Sequence, residues 1–436
     1  MKNIRFLSLS LFALFIVVTT SCQVSEKGSE TSSNNPVMAP PLPQQQQQIN
    51  APQQLMNVQT RNANVDAIIQ PVVELDTVQP PLPPDARNRI QIALLLDTSS
   101  SMNGLIDQAK SQLWKMVNEL AKSSKGNEAP QIELALYEYG NSRLSANEGY
   151  IRKIGRLTTD LEWISVRLFQ LTTTGGEEYC PWAIKDAIED LTWSENNNDL
   201  KIIFIAGNEP FQQGPVPFQE VCPLAKQKGI IVNTIHCGDY DAGVRDGWSD
   251  GAICAKGKYM NINQDEKVVH VPTPYDEKVL ELNKQLNETY LGYGGKGQEY
   301  KEMQTANDVA ASGYSSANTR TRAFYKSKSN YKNSSWDIVD ATEKDYDGFM
   351  KDVDKKELPK ELRDLSGTEL KAFVEKKRAE RKQLQVELKE IEGKVDKYVA
   401  EKKQAMSEEE GEKNTLDNVM MKSIRKQAKD KSFKFE

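Results

Sequence analysis

The sequence predicts a doubly wound α/β core, with a mostly parallel sheet flanked by helices. This core stands between a disordered N-terminal tether and an α-helical C-terminal extension. Three observations predict it. Continuous apolar runs at 90–96, 202–206 and 230–236 have the length and composition of strands buried on both faces. Segments with helical spacing separate these runs, as parallel crossovers require. The flanks are the reverse of the core, with Ser, Asn, Pro and Gln before residue 87 and abundant Lys and Glu towards the C-terminus.

The chain has 436 residues, 56 Lys+Arg against 62 Asp+Glu, and a formal net charge of −6. Such a balance gives no electrostatic reason to expect nucleic-acid binding, which needs a basic face. Two His and five Cys leave little material for a His-rich metal site or a Ser-His-Asp triad. An apolar fraction of 38% places part of the chain outside any packed core.

The N-terminal elements come first. Lys2 and Arg5 precede a nearly continuous apolar run over 6–18. The run is shorter than the roughly 20 residues that span a bilayer. It ends in Thr19-Thr20-Ser21-Cys22 and reads as a secretory signal over 1–21. It resembles the bacterial lipoprotein signal, in which the cysteine becomes the acylated, palmitate-bearing first residue. Cys22 is therefore the expected lipidation site and membrane anchor. An ordinary cleaved signal with an incidental cysteine is the alternative. Gln23 in place of Asp favours, by analogy, an outer-membrane destination in the envelope of a diderm host. Setting Cys22 aside leaves Cys180, Cys222, Cys237 and Cys254, an even number compatible with disulfides in an exported protein. Residues 22–86 include five consecutive glutamines, 44–48, among many prolines. Such a segment cannot bury enough apolar surface to offset its ordering entropy and is expected to be a flexible tether.

From residue 87 to 295 the pattern is that of a folded domain. A buried strand at 90–96 leads to a helix over 105–120, then an alternating strand at 132–139 and an edge strand at 150–157. Helices follow over 161–171 and from Pro181 to 191, with Pro well placed at a helix start. A strand at 202–206 leads to a helix over 218–227 that Gly229 stops. The strand at 230–236 precedes a short helix at 248–255, a strand at 259–262 and an amphipathic helix at 276–290. In such sheets ligands bind at the carboxyl ends of the strands.

Directly after the first strand stand Asp97, Ser99 and Ser101, a D-x-S-x-S turn. Three oxygen side chains on a tight turn suit a hard dication such as Mg²⁺. With this turn between a buried strand and a helix, residues 87–295, nearly half the chain, resemble the von Willebrand factor type A (VWA) family. The resemblance implies a metal-ion-dependent adhesion site. The family completes that site with a Thr on a later loop and an Asp after the fourth strand. An open metal position is often filled there by a partner's acidic side chain. This sequence departs twice. Glu178 falls in the Thr slot, and Gly207 stands where the Asp belongs. One carboxylate is lost and one gained, so Asp97, Ser99, Ser101 and Glu178 are the expected ligands of a rearranged site. Glu209 is a further candidate, reaching the metal through water or lying on the surface. The alternative is a metal-free fold whose Ser turn only caps the next helix. Asp239, Asp241, Asp246 and Asp250 read as a solvated acidic loop, since their spacing fails a calcium loop. His236 reads as a satisfied core or rim residue. The family order makes the helices at Cys180 and Cys222 neighbours, so a Cys180–Cys222 disulfide is expected, with Cys237 and Cys254 as thiols.

Residues 296–345 read as a small helical extension. Over 346–406 a heptad appears, with Leu370, Lys377, Leu384, Ile391 and Tyr398 at one position and Val374, Arg381, Leu388 and Val395 at the other. This is a long charged helix with a coiled-coil-like seam. Lys377 and Arg381 interrupt it, which leaves open a helical hairpin or a helix docked on the core. Residues 407–436 are expected to be mostly disordered.

Together these readings predict a lipid-anchored cell-envelope protein that is not an enzyme. No general base, activated nucleophile or phosphate loop accompanies the Ser turn. It would bind a protein or envelope component through the top of the sheet. A structural scaffold driven by the C-terminal helix is the alternative, and a metal-dependent hydrolase using Glu178 the remotest.

Overall fold

The computed structural model describes residues 88–266, 270–410 and 415–435. The signal over 1–21, Cys22 and the tether over 22–86 lie outside the described residues.

The central sheet contains β1 (Arg89–Asp97), β2 (Gln131–Tyr139), β3 (Ile151–Thr158), β4 (Leu200–Gly207), β5 (Ile231–Cys237) and β6 (Tyr259–Ile262). Their order is β3-β2-β1-β4-β5-β6. Only β3 runs antiparallel to its neighbour; every other pair is parallel. Asp97 at the end of β1 pairs with Tyr139 of β2, and Leu96 with Ala206 of β4. The carboxyl ends of the three central strands are therefore level, and the loops leaving them converge.

Strand periodicity divides the core. Ile90, Ile92, Leu94 and Leu96 face one apolar cluster, and Ala93 and Leu95 face the other. The first is covered by α1 (Asn103–Ala121) and α2 (Leu161–Phe169), the second by α3 (Cys180–Asp190), α4 (Phe218–Lys228) and α6 (Trp248–Cys254). Between β5 and α6, where an acidic loop is expected from the sequence, runs α5 (Tyr240–Arg245). Gly229 ends α4 in the left-handed region, at φ 66°, the conformation glycine adopts without a Cβ penalty. The amphipathic segment near 276–290 forms α7 (Asp276–Glu288).

The C-terminal elements are α8 (Gly297–Tyr314), α9 (Ser316–Lys326), α10 (Ile338–Ala341), α11 (Tyr346–Asp352), α12 (Lys360–Arg363), α13 (Gly367–Glu410) and α14 (Leu416–Asp430). α8, α9, α14 and much of α13 share the first apolar cluster with the sheet, while α10, α11 and α12 form a separate cluster with the start of α13. Phe324, Leu384, Leu388, Met420 and Ile424 belong to the same cluster as Ile92 and Leu94. A buried polar network joins α2 to α8 and α9. Arg322 binds Glu162 at 2.9 Å and also pairs with Asp308, while Lys326 reaches Asp308 at 3.0 Å. Tyr331 donates to the same Glu162 at 2.6 Å.

Two sequence expectations are corrected here. The tail expected to be disordered over 407–436 is folded wherever it is described. Residues 407–410 end α13, and α14 buries Leu416, Met420, Ile424 and Ala428 against α1 and the sheet. These residues recur every four positions, so one helix face is apolar although the segment's average is polar. Beyond α14, Lys434–Phe435 pairs antiparallel with Ser123–Ser124. The heptad seam of α13 is likewise not a coiled-coil face. Leu370 and Val374 pack with Ile338 and Val339, and Leu384, Leu388 and Val395 enter the main core. Arg381 breaks the heptad because it closes a buried ion pair. Its Nη1 lies 2.7 Å from Asp337 and 2.8 Å from Asp340, its Nη2 donates to the Thr289 carbonyl at 2.6 Å, and its guanidinium covers the Tyr290 ring at 3.9 Å. Of the two open readings for this helix, the docked one is what forms. Among the described residues no helix is long and apolar enough to cross a membrane.

Because Ile424 is almost fully buried between α1 and the sheet, Ile424→Ala is expected to cost about 2–4 kcal/mol of unfolding free energy. Urea denaturation measures it. An unchanged midpoint would show that α14 lies outside the cooperative core.

Candidate functional site

β1 delivers Asp97 to the carboxyl edge of the sheet, fully buried. The turn that follows is held by its own polar groups. The Thr98 amide donates to the Tyr139 carbonyl at 2.8 Å, the Ser99 amide to Asp97 Oδ1 at 2.7 Å, and the Met102 amide to the Ser99 carbonyl at 3.1 Å. An aspartate accepting from the amide two residues on is a local turn that competes well with extended structure. It gathers the two serine hydroxyls, whose Oγ atoms are 3.2 Å apart. Ser101 then donates to Asn208 Oδ1 at 3.3 Å across the end of β4.

The loop over 170–179 is tied to this turn and to the end of β2. The Thr174 amide donates to the Thr98 carbonyl at 3.0 Å, Asn141 Nδ2 to the Thr172 carbonyl at 3.0 Å, and Thr174 Oγ1 to Asn141 Oδ1 at 2.6 Å. These bonds bring Glu178 against Asp97, with only 4% of its surface exposed. Gly140 permits the approach. Its φ is +78°, and a Cβ there would lie 2.7 Å from Asp97 Oδ1 and 3.0 Å from Glu178 Cγ. Any side chain at 140 would therefore collide with the Asp97 carboxyl and crowd the Glu178 methylene.

The pair is electrostatically tense. Asp97 Oδ2 and Glu178 Oε2 are buried, and the protein offers neither a hydrogen-bond donor. Burial, then the hydrogen bond and negative charge of Glu178, push the Asp97 carboxyl well above its ordinary range. Burial raises Glu178 as well, while Asp97, Ser99 and the Glu209 amide act in the opposite sense on it. With one buried oxygen of each carboxyl left unbonded, the pair is relieved further by a shared proton or by a cation. Two carboxylate oxygens and two hydroxyls form an all-oxygen donor set of the kind Mg²⁺ prefers, and a dication would neutralise both charges. The residues present therefore fit such an ion. The site is not a His/Cys/Asp/Glu cluster; among the described residues no group of three or more of those types stands together as one.

Asp97, Ser99, Ser101 and Glu178 are thus brought together as the sequence places them. Glu209 stands beside them with its side chain exposed; its charge and its amide both act on Glu178, and its backbone carbonyl accepts from Trp248 Nε1 at 2.9 Å. Three participants escaped the sequence reading. Asn208 receives the Ser101 hydroxyl, and its only signal was a polar residue following β4. The buried His236, read as a satisfied core or rim residue, also braces the site. Its Nε2 lies 3.2 Å from the Asn208 carbonyl and its Nδ1 3.1 Å from the Asp239 carbonyl. Tyr139 explains Gly207. Tyr139 Oη donates to the Ala206 carbonyl at 2.9 Å, and a Cβ on Gly207 would lie 2.5 Å from that oxygen and 3.2 Å from Asp97 Oδ2. The phenol fills the space a carboxylate at 207 would need. Nothing in an alternating strand distinguishes such a tyrosine.

The expected Cys180–Cys222 disulfide is corrected. Cys222 pairs with Cys254, at a Cα separation of 5.6 Å, while Cys180 and Cys237 are buried free thiols. α4 packs between α3 and α6. Cys180 begins α3 and turns inward, its Sγ 3.5 Å from Tyr139 Oη, whereas Cys222 meets the last residue of α6. The acidic loop is also partly helical, since Asp239 caps α5 by accepting from the Ala242 amide at 2.9 Å.

The chain matches no family model. No curated protein matches it either. Solved structures of similar fold include proximal thread matrix protein 1 from the mussel byssus, determined with a zinc-occupied MIDAS motif. It is 14% identical, with a TM-score of 0.32, over 42% of this chain and 43% of that one. The SpRpn10 VWA domain is 17% identical, with a TM-score of 0.30, over 41% of this chain and 90% of that one. An aerotolerance-related membrane protein from Bacteroides fragilis is 14% identical, with a TM-score of 0.27, over 40% of this chain and 93% of that one. The chain thus spans less than half the length of the mussel protein.

A buried carboxyl whose folded pKa is raised binds more protons folded than unfolded, so it lowers stability as pH rises above its unfolded value, near 4. In metal-free buffer Asp97→Asn is expected to remove that loss. Its melting temperature should exceed that of the wild type at pH 8, with the gap closing towards pH 4. Thermal denaturation across pH measures it, and a gap that widens on acidification would contradict the assignment. Gly207→Ala is expected to cost about 1–3 kcal/mol through overpacking. Tyr139→Phe in the same chain should recover part of that loss, which a double-mutant cycle in urea reads.

Proposed function

We propose that this chain is a non-enzymatic binding protein, held in the cell envelope by a lipid on Cys22, that recognises a protein or envelope partner through the carboxyl edge of its sheet. The observation that carries this reading is the pair of buried, donorless carboxyl oxygens on Asp97 and Glu178. Asp97, Ser99, Ser101 and Glu178 would hold the dication, of which Mg²⁺ is the expected species. Bound there, the ion supplies a Lewis-acidic point for an oxygen atom of the partner. The chain's own residues do the rest. Gly140 admits the two carboxyls, the Thr174–Asn141 bonds hold the Glu178 loop, and Asn208 orients Ser101.

The binding reading is favoured over a scaffold built on α13, because the apolar seam of that helix is buried in the chain's own core. It is favoured over hydrolysis because the groups that bond the pair are hydroxyls and amides engaged in turns, and the carboxylates nearby, Glu177 and Glu209, are exposed to solvent.

Calorimetric titration with Mg²⁺ is expected to show one site in the wild type and a loss of at least about tenfold in affinity in Glu178→Gln, which removes one ligand charge. Absence of binding to the wild type would sink the cation site. In cells, an alkyne palmitate probe should label the wild type and not Cys22→Ala, and equal labelling of both would remove the anchor.

A further inference from the structure

The cation site proposed above does not by itself say what kind of partner it receives. The charges around it bear on that. Among the described residues, the loops at the carboxyl edge carry more acid than base, including Glu177, Glu209, Asp239, Asp241, Asp246 and Asp265, against Arg143 and Arg245. Glu177, Glu209, Asp239 and Asp241 are exposed. Bonds already described tie the loops of Glu177, Glu209 and Asp239 to one another. Glu177 adjoins Glu178, the Glu209 amide binds the Glu178 carboxyl, and His236 links the Asp239 and Asn208 carbonyls. Asp265 lies against the start of α1, where a Cβ on Gly104 would come 3.4 Å from its Oδ1. Lys110 reaches the same edge but donates to the Leu171 carbonyl at 2.9 Å.

A dication between Asp97 and Glu178 cancels those two charges and leaves the rim negative. Exposed charges within a Debye length, about 8 Å at physiological salt, act together on an approaching group. A partner carboxylate would be repelled by this rim, and like-charge juxtaposition is how interfaces reject wrong partners. An ammonium or guanidinium group would be drawn in. Two exposed apolar side chains on α5, Tyr240 and Val244 at 52% and 42% exposure, stand beside Asp239 and Asp241 and suit the stems of long basic residues. The donorless oxygens of Asp97 and Glu178, both more than nine-tenths buried, show that the rim surrounds a site for a ligand and is not merely a solvated acidic surface.

We propose that the partner is a protein segment bearing lysine or arginine. Its cationic side chains sit on the acidic rim, and one of its neutral oxygens, a backbone carbonyl or hydroxyl, meets the bound cation. This rests on the cation site and names the partner class. It reverses the acidic ligand that the VWA resemblance implies.

The test uses the full chain in Mg²⁺ with fluorescent peptides of matched length, lysine-rich, serine-rich and glutamate-rich, read by anisotropy. The lysine-rich peptide is expected to bind at least about tenfold tighter than the serine-rich one and to weaken with added salt. The glutamate-rich peptide should not bind. The variant Glu177→Gln/Asp239→Asn/Asp241→Asn should lose about tenfold for the lysine-rich peptide. A control removing equal charge from remote helices, Glu277→Gln/Glu288→Gln/Glu390→Gln, should bind as the wild type does. Equal losses in both variants would mean diffuse attraction and overturn the proposal, as would preference for the serine-rich or glutamate-rich peptide. A parallel Mg²⁺ titration separates the two levels. No uptake by the wild type overturns the cation site, whereas normal uptake with no lysine preference overturns the partner class alone.

Discussion

The architecture of this molecule turns on two carboxyl groups, Asp97 and Glu178, buried together with no hydrogen-bond donor for the oxygens between them. Burying one such charge is costly, and burying two of like sign more so. The surrounding chain is shaped to sustain that arrangement. Gly140 is required because a Cβ would collide with the Asp97 carboxyl and crowd the Glu178 side chain. Gly207 is required because Tyr139 occupies the adjoining space. The Thr98, Asn141 and Thr174 bonds fix the loop that would otherwise swing Glu178 out to solvent.

The rigidity behind the site comes from an unexpected quarter. The strand that carries Asp97 is packed below by residues from the far end of the chain. Met420 and Ile424 of α14 share a cluster with Leu94 and Leu96. Buried polar pairs fix the register of the added helices: Gln427 with Asn233, Arg381 with Asp337, and Arg322 with Glu162. Such pairs contribute little net stability compared with an apolar replacement. Breaking one leaves an unpaired buried polar group, a charge in the two ion pairs, so they penalise alternative packings.

Much of this could be read from the sequence, and the reasons differ by element. The strands of the sheet were legible because both faces are buried, which writes continuous apolar runs. The first half of the site was legible because D-x-S-x-S is local. Glu178 was placed by counting back from the helix that starts near Pro181, a local cue carrying a long-range consequence. Tyr139, Asn208 and His236 were not legible as site residues, because their roles depend on which strands end level with β1. The disulfide misled for the same reason. Neighbouring helices do not say which way a cysteine turns, and Cys180 faces the sheet. α14 was obscured by averaging, since its polar residues taken together outnumber its apolar ones although the latter largely share one face. Arg381 read as a defect in a heptad because its partners, Asp337 and Asp340, lie on a different helix and its cap.

The cost of the carboxyl pair is itself an argument about function. A folded spacer gains nothing from two opposed buried carboxyls, and replacing either by an amide would relieve it. Sites where a chain holds an unfavourable arrangement are where binding recovers the loss, because a ligand that removes the repulsion binds with that energy. A preformed pair also avoids the ordering entropy that a mobile ligand set would lose on binding. The net charge of −6 conceals this. Spread over 436 residues it suggests near neutrality, yet the loops around the site carry an excess of acid while the stretch over 370–405 is net basic. Local sign decides which partners can approach, and around Asp97 and Glu178 the sign excludes another acid.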